Sequence, residues 1–540
     1  MRCSQVQDLA FRLAPFLGAK CREANINPRT QALVSSISPT FPLHSQLLRL
    51  PKSTMSSQYT VLEDIPKIHA TALRAFNADK AKSISFRKNQ IAQVGYILKD
   101  NEDRWKEALR LDLGRHPLEA ELYDFVTVLK DVRLAYDKVG KWARVQRTEF
   151  NMKYFAMGPK TKAEPKGVAL IISPFNVPIF LSLGPLVSAI AAGCAAVIKP
   201  SEATPHVSKL LAELIPKYLD SELYHVIQGG AEQTSKALEL RWDHIMYIGG
   251  THVGRIVAQA AAKHLTPVTL ELGGKNPVVV DPNVDLPLTA RRLLWGRFGN
   301  AGQVCTCPEY VLVPRTFQDK FVDALKDAYH EFYPDGPEHS DSFGRIVSKH
   351  HTKRIEGLLE HTRGEIICGG EVDVDKKYVA PTIVNNVPAD DSLMSEEIFG
   401  PVLLVIPVED VDEAITFIRS RENPLAVYVF SQDKKFQEKV FSKTKSGAAL
   451  ANDSVFSPAV PGFPIGGVGA SGYGYYAGKQ AFEQFTYYRV MLDNPKWVDT
   501  FIFGFRFPPY KMTYKKYMNM MYPTLPPRPK SSISNRPEKC

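Results

Sequence analysis

"GVALIIS", residues 167–173, belongs to a series with "AAVIKP" (195–200), "HIMYIGG" (244–250), "VTLELGG" (268–274) and "NPVVVD" (276–281). Each run is too short for a helix and nearly continuous in Val, Ile and Leu, and stretches with helical spacing separate most of them. Apolar runs without a polar face suit strands covered on both sides, which is the condition of a buried parallel sheet. The series therefore predicts an α/β fold with a buried parallel sheet. In such sheets ligands bind outside the carboxyl ends of the strands, where "SPFN", "KPSE" and "GGTHVG" fall.

Upstream, residues 60–146 read as helical, with Leu122, Phe125, Val126, Leu129, Val132 and Tyr136 recurring at three- and four-residue spacing as one apolar face. Downstream of Gly302 a second α/β stretch carries "EYVLV" (309–313) and "PVLLVIPV" (401–408) as strands. The glycine-rich "PGFPIGGVGASGYGYYAGK" (461–479) suits neither a regular helix nor a central strand. It is expected to be a loop folded close to the functional site. "QFTYYRVML" (484–492) alternates like an exposed strand available for pairing. No internal repeat is apparent.

The net charge of +10 is concentrated at the two ends. Residues 1–54 hold seven Lys/Arg against two acids and residues 501–540 hold eight against one, so the body is close to neutral. A nucleic-acid groove would need its basic charge on the body, so no nucleic-acid partner is expected. The first 54 residues are Ser/Pro-rich with spaced arginines. They fit a mitochondrial presequence, a disordered tail, or an upstream extension ahead of Met55. The aromatic, Met-rich stretch after 500, with Arg506, Lys511, Lys515 and Lys516, suits contact with a membrane interface or packing on the body. Seven scattered cysteines argue against a disulfide framework and for an intracellular, reducing compartment, mitochondrial or cytoplasmic.

Neither a G-x-G-x-x-G fingerprint nor a P-loop follows any of the runs. The chemistry gathers instead around "NAGQVCTCP" (300–308). Cys305 and Cys307 form C-x-C with no second ligand pair at metal spacing, so no metal is expected. A redox pair lacks its usual context. A nucleophile fits better, given small neighbours that leave room for a substrate carbonyl. Glu271 in "LELGGK" offers a general base between close-packed glycines, or simply a solvated carboxylate. Asn176, between the prolines of "SPFNVP", offers a rigidly held oxyanion donor, or simply a turn.

These motifs, with "IKPSE" (198–202), "YIGGTHVG" (247–254), "SEEIFGPVL" (395–403) and "PIGGVGASGYGYYAGKQAFEQFT" (464–486), resemble the aldehyde dehydrogenase superfamily in order and spacing, from about 60 to 500. The forms of the cysteine and glycine motifs are most similar to the class 3, or fatty-aldehyde, branch. The resemblance implies an α/β aldehyde dehydrogenase fold, with an N-terminal extension at 1–54 and a Rossmann-like cofactor-binding domain at 55–146 and 166–270. It further implies a catalytic domain at 271–475, a β oligomerisation arm at 147–165 and 476–500, and a basic tail at 501–540.

It implies Cys305 as nucleophile, Cys307 as bystander, Glu271 as the base for hydrolytic water and Asn176 as the oxyanion amide. Lys199 and Glu202 then match adenosine-ribose contacts, and Gly249 with Gly250 the turn at the pyrophosphate. Glu397 and Phe399 match nicotinamide-side contacts, and Tyr476 a substrate-site tyrosine. The implied reaction runs from a hemithioacetal, by hydride transfer to NAD, to a thioester that water cleaves. Glu202 would repel a 2′-phosphate, favouring NAD, while the branch also admits NADP. The implied substrate is a long apolar aldehyde, fatty or apocarotenoid, and the implied assembly a homodimer. The alternative is a catalytically idle homologue acting as a binding or membrane-surface protein. Three features depart from the family: Phe175 where Trp is common, Gly250 where Ser or Asn is usual, and the tail beyond 500.

Overall fold

A computed structural model describes residues 59–527. The targeting reading of residues 1–54 and the end of the basic tail, residues 528–540, lie outside the described residues.

Four of the apolar runs form the centre of a six-stranded sheet. Its order is Gly472–Tyr473, Val268–Leu272, His244–Gly249, Val168–Ile172, Ala195–Lys199 and Tyr224–Val226. All neighbours are parallel except Gly472–Tyr473. The chain enters at Val168–Ile172, builds outward through Ala195–Lys199, then returns to lay His244–Gly249 on the other side. The strand order therefore reverses between Val168–Ile172 and His244–Gly249, which opens a crevice at their carboxyl ends.

The fifth run does not join this sheet. After Gly273, Gly274 and Lys275 the chain crosses into a second, seven-stranded sheet that begins with Asn276–Val280. That sheet is parallel apart from Glu365–Cys368 at one edge. Its order reverses between Asn276–Val280 and Ala426–Phe430, which pair directly. Each sheet carries its own large apolar core. A three-stranded antiparallel arm joins Gln146–Arg147, Lys160–Pro165 and Thr486–Met491.

Two expectations change in detail. The helical face read from spacing splits: Phe125 and Val132 are buried, but Leu122, Val126 and Tyr136 are exposed. A π turn over Glu121–Phe125 shifts the phase of the helix, and the buried row on Val126–Trp142 becomes Val128, Val132, Ala135, Val139 and Trp142. The boundary near 476 also moves. Gly472–Tyr473 is an edge strand of the first sheet, and Tyr476, Ala477, Phe482 and Phe485 pack in that sheet's core rather than in the arm.

Beyond 495 the chain packs on the arm, with Val498 and Phe503 buried against Met157. Phe501, Phe507, Tyr510 and Met512 remain exposed. No helix among the described residues is long and apolar enough to cross a membrane.

Candidate functional site

The cysteine loop follows helix Leu286–Phe298 through a tight turn in which Asn300, Ala301 and Gly302 all have positive φ. Glycine is required at 302, where a Cβ would lie 2.2 Å from the Gly400 carbonyl oxygen. Asn276, at the start of its strand, donates through Nδ2 to the carbonyls of Cys305 (2.8 Å) and Cys307 (2.9 Å), while its Oδ1 accepts the Ala426 N–H. The Tyr428 hydroxyl donates to the Thr306 carbonyl. The two strands that flank the reversal of the second sheet thus fasten the loop from beneath.

The two cysteines have different surroundings. Cys307 packs with Val304 and Val455 beside Tyr123 and Trp295, and burial pushes its thiol up to about 12. Cys305 faces a narrow cavity together with Asn176 and Tyr476. The cavity wall is apolar, formed by Leu122, Val177, Phe180, Leu181, Trp295, Val455 and Phe456 among others. Burial, and next the negative charge of Glu271, hold the Cys305 thiol well above its ordinary value.

Glu271 lies at the end of Val268–Leu272, opposite Gly472 in the antiparallel pairing. It is 2 % exposed and neither carboxyl oxygen has a hydrogen-bond partner. Burial raises its pKa well above the carboxylate range, and the nearby Gly467 N–H only partly offsets this. A carboxyl placed so is favoured in its neutral form and, once ionised, is a stronger base than a solvated carboxylate. Asn176 is also buried, and its side-chain amide has no hydrogen bond among the described residues. Its carbonyl, by contrast, is held by Arg115 and by Asn300 Nδ2 (2.9 Å). Tyr476 is buried through a bridge to Ile465, and burial raises its hydroxyl pKa.

The remaining expected residues line the strand ends of the first sheet and the loop facing them. Lys199 Nζ donates to Glu202 Oε2 (3.1 Å) and to the Gly229 carbonyl (3.0 Å). Gly249 closes its strand so tightly that a Cβ would lie 2.5 Å from the Tyr247 hydroxyl. Gly250, with open space where a side chain would be, precedes helix Thr251–Ala262, whose first turn has neither a side-chain cap nor an acid. That helix end presents unpaired N–H groups suited to a diphosphate. Glu397 crosses to the Gly273 backbone, where a Cβ would meet its Oε2 at 2.0 Å. Burial and the neighbouring Glu309 raise the Glu397 pKa. Phe399 holds a left-handed φ of 49° and meets the Phe175 ring edge to face at 5.7 Å. Strained residues of this kind cluster at ligand sites. The chemistry of this set suits an extended dinucleotide: an ammonium and a carboxylate able to meet hydroxyl groups, bare glycines beside a free helix N-terminus, and a buried carboxylate with a strained aromatic.

Sequence reasoning missed the supports. Lys275 Nζ reaches Glu309 (3.0 Å) and the carbonyls of Leu393 (2.8 Å) and Glu396 (2.9 Å), so it pins the Glu397 loop to the second sheet. Arg354 donates to Glu396 Oε1 (2.7 Å) and to the Ile398 carbonyl. His351 packs tilted against Phe175 at 5.4 Å, its pKa lowered to about 4 by burial and then by Arg354. Only Lys275 and Asn276 left a signal, as polar residues at the head of an otherwise buried strand.

Comparison with known proteins agrees with this geometry. The profile described as "Aldehyde dehydrogenase family" matches residues 52–491. The chain is 42% identical over 434 residues to "Aldehyde dehydrogenase, dimeric NADP-preferring" of Canis lupus familiaris, covering 80% of this chain and 95% of that protein. It is 38% identical over 440 residues to the 4,4'-diaponeurosporen-aldehyde dehydrogenase of Staphylococcus aureus, covering 82% and 95%. Among solved structures, the substrate-bound state of Staphylococcus aureus AldH superposes with a TM-score of 0.81 at 37% identity, covering 85% of this chain and 99% of that one. A thiol beside a buried carboxylate and an apolar cavity, on a chain matched over most of its length, leaves one conclusion: this chain belongs to the aldehyde dehydrogenase family, on its class 3 side, and is an NAD(P)-dependent enzyme that oxidises an aldehyde to a carboxylic acid.

Proposed function

We propose that the enzyme oxidises long apolar aldehydes, fatty or polyene, to carboxylic acids through a thioester on Cys305. The apolar cavity that ends at Cys305 and Asn176 is the observation that carries this reading. Each methylene taken from water into such a wall is worth about 0.8 kcal/mol, so the wall recognises chain length rather than a polar group. The Staphylococcus aureus relative named for a polyene aldehyde supports the same class.

In this reading the Cys305 thiolate attacks the aldehyde carbon. The resulting oxyanion accepts hydrogen bonds from the Asn176 amide and the Cys305 backbone N–H. NAD(P), when bound, supplies the acceptor for the hydride that leaves this carbon, and the carbon becomes a thioester. Glu271 takes a proton from water, whose oxygen attacks the thioester carbon. The C–S bond breaks, the acid departs and the thiolate returns. Lys199 and Glu202 would hold the adenosine ribose, Gly249 and Gly250 would admit the diphosphate, and Glu397 with Phe399 would orient the nicotinamide side. Tyr476 would border the aldehyde. The Glu202 carboxylate favours NAD over NADP by repelling a 2′-phosphate.

A homodimer and a membrane contact complete the proposal. Thr486–Met491 is the edge strand of the arm, and its Tyr487, Tyr488 and Val490 are exposed. Such edges pair between subunits, and the Canis relative is named dimeric. The exposed Phe501, Phe507, Tyr510 and Met512 beside Arg506 and Lys511 suit an anionic lipid interface, where apolar aldehydes partition.

The first test is cofactor reduction with octanal, hexadecanal, a long apocarotenal and benzaldehyde, using Cys305→Ser and Cys307→Ser as comparisons. The expected result is a kcat/KM that rises with chain length, is abolished in Cys305→Ser and is retained in Cys307→Ser. A preference for benzaldehyde would reject the substrate class. Gel filtration of Val490→Glu should shift the protein to a monomer. Liposome sedimentation of Phe507→Ser/Tyr510→Ser should lose anionic-lipid binding.

A further inference from the structure

Asn176 lies in the loop after a strand of the first sheet and Cys305 in the loop before a strand of the second, and the catalysis proposed above needs the amide and the thiol at a fixed separation. A single buried hydrogen-bond network joins them. Arg115, with a fully buried side chain, pairs through Nη1 with Asp124. Its Nη2 donates to the Asn176 carbonyl, and Nε (3.1 Å) and Nη2 (2.6 Å) both donate to Asn300 Oδ1. Asn300 Nδ2 then reaches the carbonyls of Asn176 (2.9 Å) and Gln303 (3.1 Å). The Asn300 N–H donates to Glu119 Oε1 (2.9 Å), which fixes the turn that leads to the cysteine.

Two features show that this arrangement is maintained against a cost. Asn300 and Ala301 are consecutive non-glycine residues with left-handed φ, a conformation held only where the surroundings impose it. Asp124 lies in the π turn Glu121–Phe125, a helix defect frequent at functional sites. Its other oxygen accepts the Phe180 N–H (2.7 Å), at the start of a helix whose first residues line the cavity.

We propose that Arg115 and Asn300 are positioning residues: they hold the Asn176 amide in register with Cys305 and so shape the oxyanion site. The inference rests on the reading of Asn176 as an oxyanion donor. Asn300 acts through Asn176, so its effect vanishes where that amide is already absent.

The test compares Asn300→Gly, Asn176→Ala and the double variant in the full-length enzyme. Glycine suits the left-handed φ and keeps the N–H to Glu119, which offsets part of the cost of leaving two Arg115 donors without Asn300 Oδ1, and melting temperature is measured alongside. Expected is a fall in kcat of about 10- to 100-fold, the scale of a 1 Å misplacement. The KM for NAD and the rate of Cys305 alkylation by iodoacetamide should stay within about twofold, because that substitution builds no oxyanion. Asn176→Ala should lose about 10²- to 10³-fold in kcat, and the double variant little more than Asn176→Ala alone.

Additive losses, or an alkylation rate that falls in step with kcat, would overturn the proposal by showing a merely structural role. Full activity in Asn300→Gly beside a crippled Asn176→Ala would overturn it and spare the oxyanion reading. Full activity in Asn176→Ala would overturn both. Should Asn300→Gly fail to fold, Arg115→Lys carries the same comparison, keeping a charge for Asp124 while losing the planar fork.

Discussion

Gly472 pairs in antiparallel register with Glu271, so the glycine-rich loop supplies the edge strand that walls in the buried carboxylate. A Cβ on Gly472 would lie 2.0 Å from the Leu270 carbonyl oxygen, and its φ of +113° excludes other residues as well. Gly472→Ala must therefore open this edge. The expected outcome is a loss of at least about 1 kcal/mol in stability from backbone strain, with a slower hydrolytic step. Denaturant titration and steady-state turnover measure the two.

Glu271→Gln separates the two halves of the reaction. Thioester formation needs no base at this position, so one equivalent of reduced cofactor should appear per site in a rapid burst. Turnover afterwards should fall by about 10²- to 10⁴-fold, the span for removing a general base. A variant with full steady-state turnover would reject Glu271 as the base.

The same substitution changes stability with a definite sign. The folded pKa of Glu271 is raised by burial, so the native state holds this proton more tightly than the unfolded chain. That contribution is complete below the unfolded carboxylate pKa and is lost as pH rises through the folded value. Glutamine cannot ionise and escapes the loss. Glu271→Gln should therefore melt higher than the parent in neutral and alkaline buffer, with the gap closing in acid. Calorimetry across pH tests this.

Cys305 should respond in the opposite sense to added positive charge. Its thiol is raised by burial and by the charge of Glu271, so alkylation of the cofactor-free enzyme should keep rising with pH past the usual cysteine range. Saturating NAD, whose nicotinamide is cationic, should accelerate alkylation at neutral pH. Stopped-flow labelling with and without NAD decides it.

Lys275 is expected to control the cofactor end. Lys275→Met leaves Glu309 buried without its cation and frees the loop that carries Glu397. Breaking a buried pair on one side costs about 3–5 kcal/mol, and the KM for NAD should rise while the alkylation rate of Cys305 holds. Gly273→Ala should raise KM alone, because its new methyl group displaces only the end of the Glu397 side chain.

What was legible in the sequence follows from how local each signal is. The strands Val168–Ile172, Ala195–Lys199, His244–Gly249 and Val268–Leu272 could be read because burial on both faces imposes an uninterrupted apolar run. The glycines at 461–479 could be read as a close-approaching loop because such backbone leaves no room for side chains. The helix around Leu122 was read in the wrong phase beyond Phe125, since a π turn adds one residue without any mark in composition. The apolar pattern of the fifth run does not set it apart from the other four, because a strand's pattern does not say which neighbour it pairs with; only the family resemblance assigns it to the catalytic domain at 271–475, and its pairing in the second sheet is seen only in the structure.

The sequence by itself determined the layered α/β architecture, the family, and the residue types from which a thiol, a carboxylate and an amide could be assembled. Only the tertiary structure decided that Cys305, Asn176 and Tyr476 share one apolar cavity while Cys307 packs away from it. It alone showed Lys275 and Asn276 as fasteners of the Glu397 and cysteine loops, and Arg115 with Asn300 as the link from the cysteine loop to Asn176. The physical reason is separation along the chain: periodicity and motif record what a residue requires of its neighbours in sequence, whereas a hydrogen bond such as Asn300 to Asn176 exists only once a helix-end turn and a distant strand-end loop have been brought together.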